Sequence, residues 1–231
     1  MAIQRPGGFD ITERGLKLAS FKKGSKILDI GCGGGDTVNY LNEKGYKAEG
    51  IEINLVKISE AKEQFPDIDV KFGDGGFLDD YLSFTFDGII MECSLNGIVQ
   101  PDEALHEAYC VMKKGGRLII SDFYEKDPEP NQLKAVAIEA ARRARLPRNE
   151  GDCEEGTPEH FVDFRFGGAF YKEPLIKQLE EEIGFRVMKF EDYSDKLGDG
   201  FEAFAPTLDK QAGGKSRDIG YFLLVAQKPL K

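Results

Sequence analysis

Three glycines and several carboxylates in the first half of the chain stand at spacings that can hold a nucleoside. Asp29, Gly31, Gly33 and Gly35 alternate with other residues, Glu52 follows Asp29 by 23 positions, and Asp74 and Glu92 come later. A turn built from glycines carries almost no side chains, so its backbone can approach a ligand closely. The apolar residues Ile27, Leu28 and Ile30 before it read as a buried parallel strand. Thr37, Val38 and Leu41 after it begin a helix whose free N–H groups and positive dipole end face the same turn. Glu52 closes a second strand, at the spacing where a doubly wound fold offers a carboxylate to the ribose hydroxyls. Ile53 and Gly75 flank Glu52 and Asp74 in the same candidate set.

Spacing also selects among nucleotides. A dinucleotide fingerprint would need a third glycine at position 36, where the chain has Asp36. The pattern acidic-x-Gly-x-Gly-x-Gly is complete, and in it the sequence resembles the class I S-adenosylmethionine-dependent methyltransferases. The resemblance implies an α/β fold with a doubly wound, seven-stranded, mostly parallel sheet, and S-adenosyl-L-methionine as cofactor with its methionine part on the glycine turn. It further implies that Asp74 accepts from the adenine amino group, although Asp-Gly is also a plain turn signal. Arms such as Arg5-Pro6-Gly7-Gly8 close over the cofactor in similar proteins, which would bring Arg5 to its carboxylate. Without that resemblance, residues 1–24 read simply as an arm and a helix covering a sheet edge. The cofactor set is therefore Asp29, Gly31, Gly33, Gly35, Glu52, Ile53, Asp74, Gly75 and Glu92, the last at the carboxyl end of the fourth strand Phe86–Cys93, with Ser94 and Asn96 beside it.

Composition narrows the partners. A chain of 231 residues suits a single methyltransferase domain. Its formal charge of −10 opposes nucleic acid and anionic membranes as main partners, since phosphate binding needs a basic face. There is no signal-like segment and no run of 18 apolar residues, so a soluble, cytoplasmic protein is expected. Cys32, Cys93, Cys110 and Cys153 are far apart and form no C-x-x-C pair; buried free thiols and no metal site are the default.

The second half carries fewer signals. Asp102 to Met112 reads as a helix leading into a glycine turn and fifth strand, Lys113 to Asp122, with Lys114 where the family usually has proline. Residues 128–172 form the expected lid within the domain, with an aromatic run that includes Phe161, Phe164, Phe166, Phe170 and Tyr171. Glu173 to Ile183 has helical spacing, with Gly184 as its cap. Phe185–Tyr193 and Tyr221–Lys228 are the last two strands, in this family an antiparallel hairpin. Residues 194–217 between them are too many for a tight hairpin and suit a homodimer contact or a substrate cover.

The acceptor is expected to be a small molecule. If it needs a base, the candidates are His160, Tyr171, Asp163 and Glu92, none with a motif behind it, while His106 reads as structural. Two alternatives stay open: a thiol-assisted arsenite methyltransferase, and a non-catalytic cofactor-binding regulatory protein.

Overall fold

The computed structural model describes residues 5–128, 165–166, 169–198, 211–212 and 215–231. The elements before the midpoint are α1 (Gly8–Ala19), β1 (Lys26–Ile30), α2 (Asp36–Glu43), β2 (Lys47–Glu52), α3 (Leu55–Gln64), β3 (Val70–Phe72), β4 (Phe86–Glu92), α4 (Pro101–Val111) and β5 (Met112–Glu125). Then follow β6 (Arg165–Phe166), β7 (Ala169–Tyr171), α5 (Lys172–Lys177), β8 (Arg186–Asp192), the small pair β9 (Gln211–Ala212) and β10 (Lys215–Ser216), and β11 (Ile219–Gln227).

The main sheet runs in the order β3-β2-β1-β4-β5-β11-β8. The first five strands pair in parallel, whereas β11 is antiparallel to both β5 and β8. This is the expected doubly wound, mostly parallel sheet of seven strands, with β6 and β7 added at one end. Because β1 has β2 on one side and β4 on the other, the winding reverses there and a crevice opens beyond the strand ends. Alternating residues serve the two faces: Leu28 and Ile30 enter one apolar core with α4, and Ile27 enters a second with α1 and α2.

Several boundaries differ from the sequence reading, each for a local reason. The fifth strand extends past Asp122 to Glu125 because β11 pairs with it throughout and β7 pairs with Tyr124 and Glu125, beyond the end of β4. The predicted helix at Glu173–Ile183 starts at Lys172 and turns into a π-helix over Gln178–Ile183, capped by Gly184 at φ 100°. Cys110 is exposed on α4, unlike the buried Cys32, so the expectation of buried thiols does not extend to it. The lid at 128–172 and the segment 194–217 fall largely outside the described residues, as do His160, Asp163, Phe161, Phe164 and Cys153. Among the described residues no helix is long and apolar enough to cross a membrane.

A buried lysine closes the lower end of the fold. Lys228 is 4% exposed, and its Nζ donates to the carbonyls of Tyr109 (2.6 Å) and Met112 (2.9 Å), at the C-terminus of α4. Burial lowers its pKa, while the rings of Phe84 and Tyr109 stand 4.4 and 4.3 Å from the ammonium. Lys228→Ala leaves these carbonyls without their donor. It is expected to cost about 1–3 kcal/mol in urea unfolding while leaving ligand binding at the opposite sheet end unchanged.

Candidate functional site

The glycine turn is held from below by the sheet. The N–H groups of Gly31 and Cys32 both donate to the Ile51 carbonyl, at 2.9 and 3.0 Å, which ties the turn to β2. Gly31, Gly33 and Gly35 have φ of 76°, 54° and 79°, a left-handed backbone that side chains disfavour. At Gly31 there is a second reason. A Cβ there would lie 2.4 Å from Ser94 Cβ, and Ser94 Oγ donates to the Ile30 carbonyl at 2.6 Å. The end of β4 is thus latched onto the end of β1.

Glu52 sits at the tip of β2 facing this turn. One carboxylate oxygen accepts from the Gly33 N–H and the other from the Asn54 N–H, both at 2.9 Å. Asn54 in turn caps α3, accepting from the N–H groups of Val56 and Lys57. Two backbone donors therefore fix the orientation of the Glu52 carboxylate, and each oxygen keeps a lone pair for another donor. Asp74, after β3, accepts from the Gly76 N–H at 2.9 Å and so makes the turn that its sequence also suggested.

These residues meet in a cleft of about 390 Å³ at the carboxyl ends of the strands. Of the residues singled out in the sequence, Gly31, Glu52, Ile53, Asp74 and Gly75 line it, with Ser94 across from them. The cleft also takes in Phe77, Ile98, Val99 and Gln100, which sequence reasoning did not select. No sequence signal marks them: Phe77 and Val99 look like core residues until the fold leaves them 63% and 87% exposed. Gly35 is turned away from the cleft, against Ile68 and Ala61, and serves the packing of the turn on α3 and β3. Gly33 has nothing within 4 Å of where a Cβ would be, so its backbone is open to a ligand.

Asp29 and Glu92 lie behind the turn, on the side of α1 and α2. Glu92 is buried and forms an ion pair with Arg5 at 2.9 Å. Its oxygens also accept from Thr12 of α1 (2.8 Å) and Thr37 of α2 (3.1 Å), and Arg5 donates to both threonines as well. One carboxylate thereby gathers the N-terminal arm, two helices and a strand end. Asp29 is 3% exposed and its carboxyl is pushed up to about 8, first by burial and then by Glu92, with Glu52 adding and Arg5 opposing.

Tyr171, also a candidate from sequence, stands away from the cleft beside Glu125, beyond the end of β4. Glu125 is paired with Arg217 at 2.8 Å, both side chains being buried. Burial and the Glu125 carboxylate push the Tyr171 hydroxyl up to about 12, against the influence of Arg217. It keeps its proton at neutral pH and is no ready base. Among the described residues no group of His, Cys, Asp and Glu is arranged to hold a metal.

Comparison with known proteins bears on this geometry. Residues 21–160 match the model of a family described as a methyltransferase domain. A demethylmenaquinone methyltransferase of Paenarthrobacter aurescens is 32% identical over 102 residues, 44% of this chain and 40% of that protein. The ubiquinone/menaquinone biosynthesis C-methyltransferase UbiE of Campylobacter jejuni is 27% identical over 182 residues, 75% of each chain. Among solved structures, the [4+2]-cyclase SpnF shares the fold with a TM-score of 0.66 and 20% identity, over 96% of this chain and 82% of that one.

The chain belongs to the methyltransferase-domain family, with the Rossmann-like fold of class I enzymes, and is an S-adenosylmethionine-dependent methyltransferase. Its residues fit that cofactor: an open glycine backbone, an oriented carboxylate at the cleft and apolar side chains lining it. Removing the Glu52 carboxylate leaves these features otherwise in place. Glu52→Ala is expected to weaken S-adenosylhomocysteine binding at least tenfold in a calorimetric titration, with a thermal midpoint close to that of the parent. Unchanged affinity would remove Glu52 from the binding set.

Proposed function

We propose that the chain transfers the methyl group to a carbon of a small, electron-rich ring of the quinol type. The observation that carries the acceptor class is the similarity to two quinone-pathway methyltransferases, one of them matched over 75% of its length. The cofactor supplies a methyl group on a positively charged sulfur. In this reading Glu52 holds the ribose hydroxyls, Asp74 accepts from the adenine amino group, and the turn at Gly31 and Gly33 carries the methionine part. Arg5 meets the carboxylate of that part from the arm.

The residues then act by orientation. Holding two reactants in line and away from water can contribute up to about 7–11 kcal/mol to such a transfer. A quinol ring carbon suits a site of this kind, because the ring oxygen supplies the electron density and little base strength is asked of the protein. Glu92, taken from sequence as a candidate base, is already engaged by Arg5, Thr12 and Thr37 and is better placed to position the arm. A nucleic-acid acceptor is disfavoured by the net charge of −10.

The arsenite reading gains little from the thiols. Burial raises the pKa of Cys32 and Cys93 and keeps them protonated, while Cys110 is on the surface of α4. Incubation of the protein with S-adenosylmethionine and chemically reduced 1,4-naphthoquinone or 1,4-benzoquinone tests the proposal. Mass spectrometry is expected to find a ring-methylated quinol. A methyl ether, or methyl transfer to arsenite alone, would contradict it.

A further inference from the structure

The lane of the sheet that β4 occupies is interrupted and then resumed. β5 runs past Ser121, its partner at the end of β4, as far as Glu125. β11 covers one edge of β5 over this whole stretch, so β7, which pairs with Tyr124 and Glu125, lies on the other edge, in line with β4. Between the two the chain leaves β4 through Cys93, whose φ of 52° is left-handed. The turn is held to β5 by the Cys93 N–H on the Ser121 carbonyl (2.8 Å) and the Asn96 N–H on Asp122 (2.9 Å), and its Ser94 lines the cleft. β7 thus takes up the lane again on the far side of that turn.

Residues in register share a face, so Tyr171 stands beside Glu125 on the face that Phe123 gives to the core with α1. Tyr171 is fully buried, and its hydroxyl has no hydrogen-bond partner among the described residues. Glu125 does not serve it; one oxygen of that carboxylate takes both Nε (2.9 Å) and a terminal nitrogen (2.8 Å) of Arg217. A buried hydroxyl without a partner is unfavourable and uncommon. Down the same face toward Glu92 come the Phe123 and Tyr221 rings, edge to face at 5.3 Å, and the Cys93 thiol, 3.1 Å from the Tyr221 hydroxyl. From the level of Glu92 to that of Tyr171 the strands rise by about 13 Å. The face therefore carries a polar group at each end and aromatic rings between them.

Resting on the quinol reading above, we propose that Tyr171 determines acceptor specificity: its hydroxyl donates a hydrogen bond to a second oxygen of the acceptor, on the ring edge away from the carbon that takes the methyl group. The acceptor class narrows to rings that carry oxygen on opposite edges. Burial and the Glu125 carboxylate hold the proton on Tyr171 at neutral pH, so the hydroxyl is available as a donor. No bond is made or broken there; the role is to bind and orient. The Glu125–Arg217 pair is a positioning element, since it ties β5 to the segment before β11 at the level of Tyr171. A site of this kind rejects an analogue lacking the matching oxygen, because the hydroxyl is then left unpaired again.

The test is anaerobic calorimetric titration of the protein saturated with S-adenosylhomocysteine, using reduced 1,4-naphthoquinone and, in parallel, 1-naphthol, which has the same rings and one oxygen fewer. The parent protein is expected to bind the quinol more tightly by about tenfold or more. Tyr171→Phe keeps the buried ring and removes only the hydroxyl. It is expected to bring the two affinities within about twofold of each other, by loss on the quinol alone, with S-adenosylhomocysteine affinity unchanged. Its thermal midpoint without acceptor is expected to be no lower than the parent's, because no hydrogen bond is lost. A midpoint lower by several degrees, or failure of the variant to fold, assigns the hydroxyl to the fold and overturns the inference. Equal binding of both rings by the parent, or a variant that keeps the parent's preference, also overturns it and leaves the quinol reading standing. If neither ring binds, the quinol reading itself falls and the inference with it.

Discussion

One buried carboxylate organises the working end of this protein. Glu92 ends β4 inside the fold, where its charge is sustained by Arg5, Thr12 and Thr37. A buried charge persists only where partners of this kind surround it. The consequence is geometric: the N-terminal arm, α1 and α2 are all drawn to the end of a strand that neighbours the glycine turn. Phe9 stacked on Tyr40 at 3.8 Å and Arg5 over the Phe9 ring fasten the same arm from outside. The crevice set by strand order is thus closed on one side by polar contacts, and lined on the other by Ile53, Phe77 and Val99.

Two compartments result, with different physics. The open cleft combines apolar faces with the two carboxylates Glu52 and Asp74, each bound to backbone N–H groups. The compartment behind the turn is buried and polar, with Asp29, Glu92 and Arg5 in mutual reach.

Much of the first half was legible in the sequence because each signal there has a single physical cause. Glycines at 31, 33 and 35 are required by a left-handed turn, and Glu52 follows from strand length and winding. The mutual engagement of Glu92, Arg5, Thr12 and Thr37 was not legible, since it joins residues up to 87 positions apart and leaves no local pattern. Nor was the extension of β5 to Glu125, which depends on pairing with β11 and β7 rather than on its own residues. The acceptor side resisted reading for a related reason: orientation can be achieved by many side-chain sets, so no spacing is obligatory. Ile98 and Val99 show the same limit, as they look like core residues until the fold leaves them on the cleft.

Hydrogen–deuterium exchange with and without S-adenosylhomocysteine tests the central claim most directly, namely that the glycine turn and the strand ends around it form the cofactor site. Slowed exchange is expected in residues 30–36, 51–54, 73–77 and 94–100, together with the arm from residue 5 to 12, and little change in α4 or around Lys228. Binding that left these segments unprotected, or protected the opposite end of the sheet instead, would contradict it.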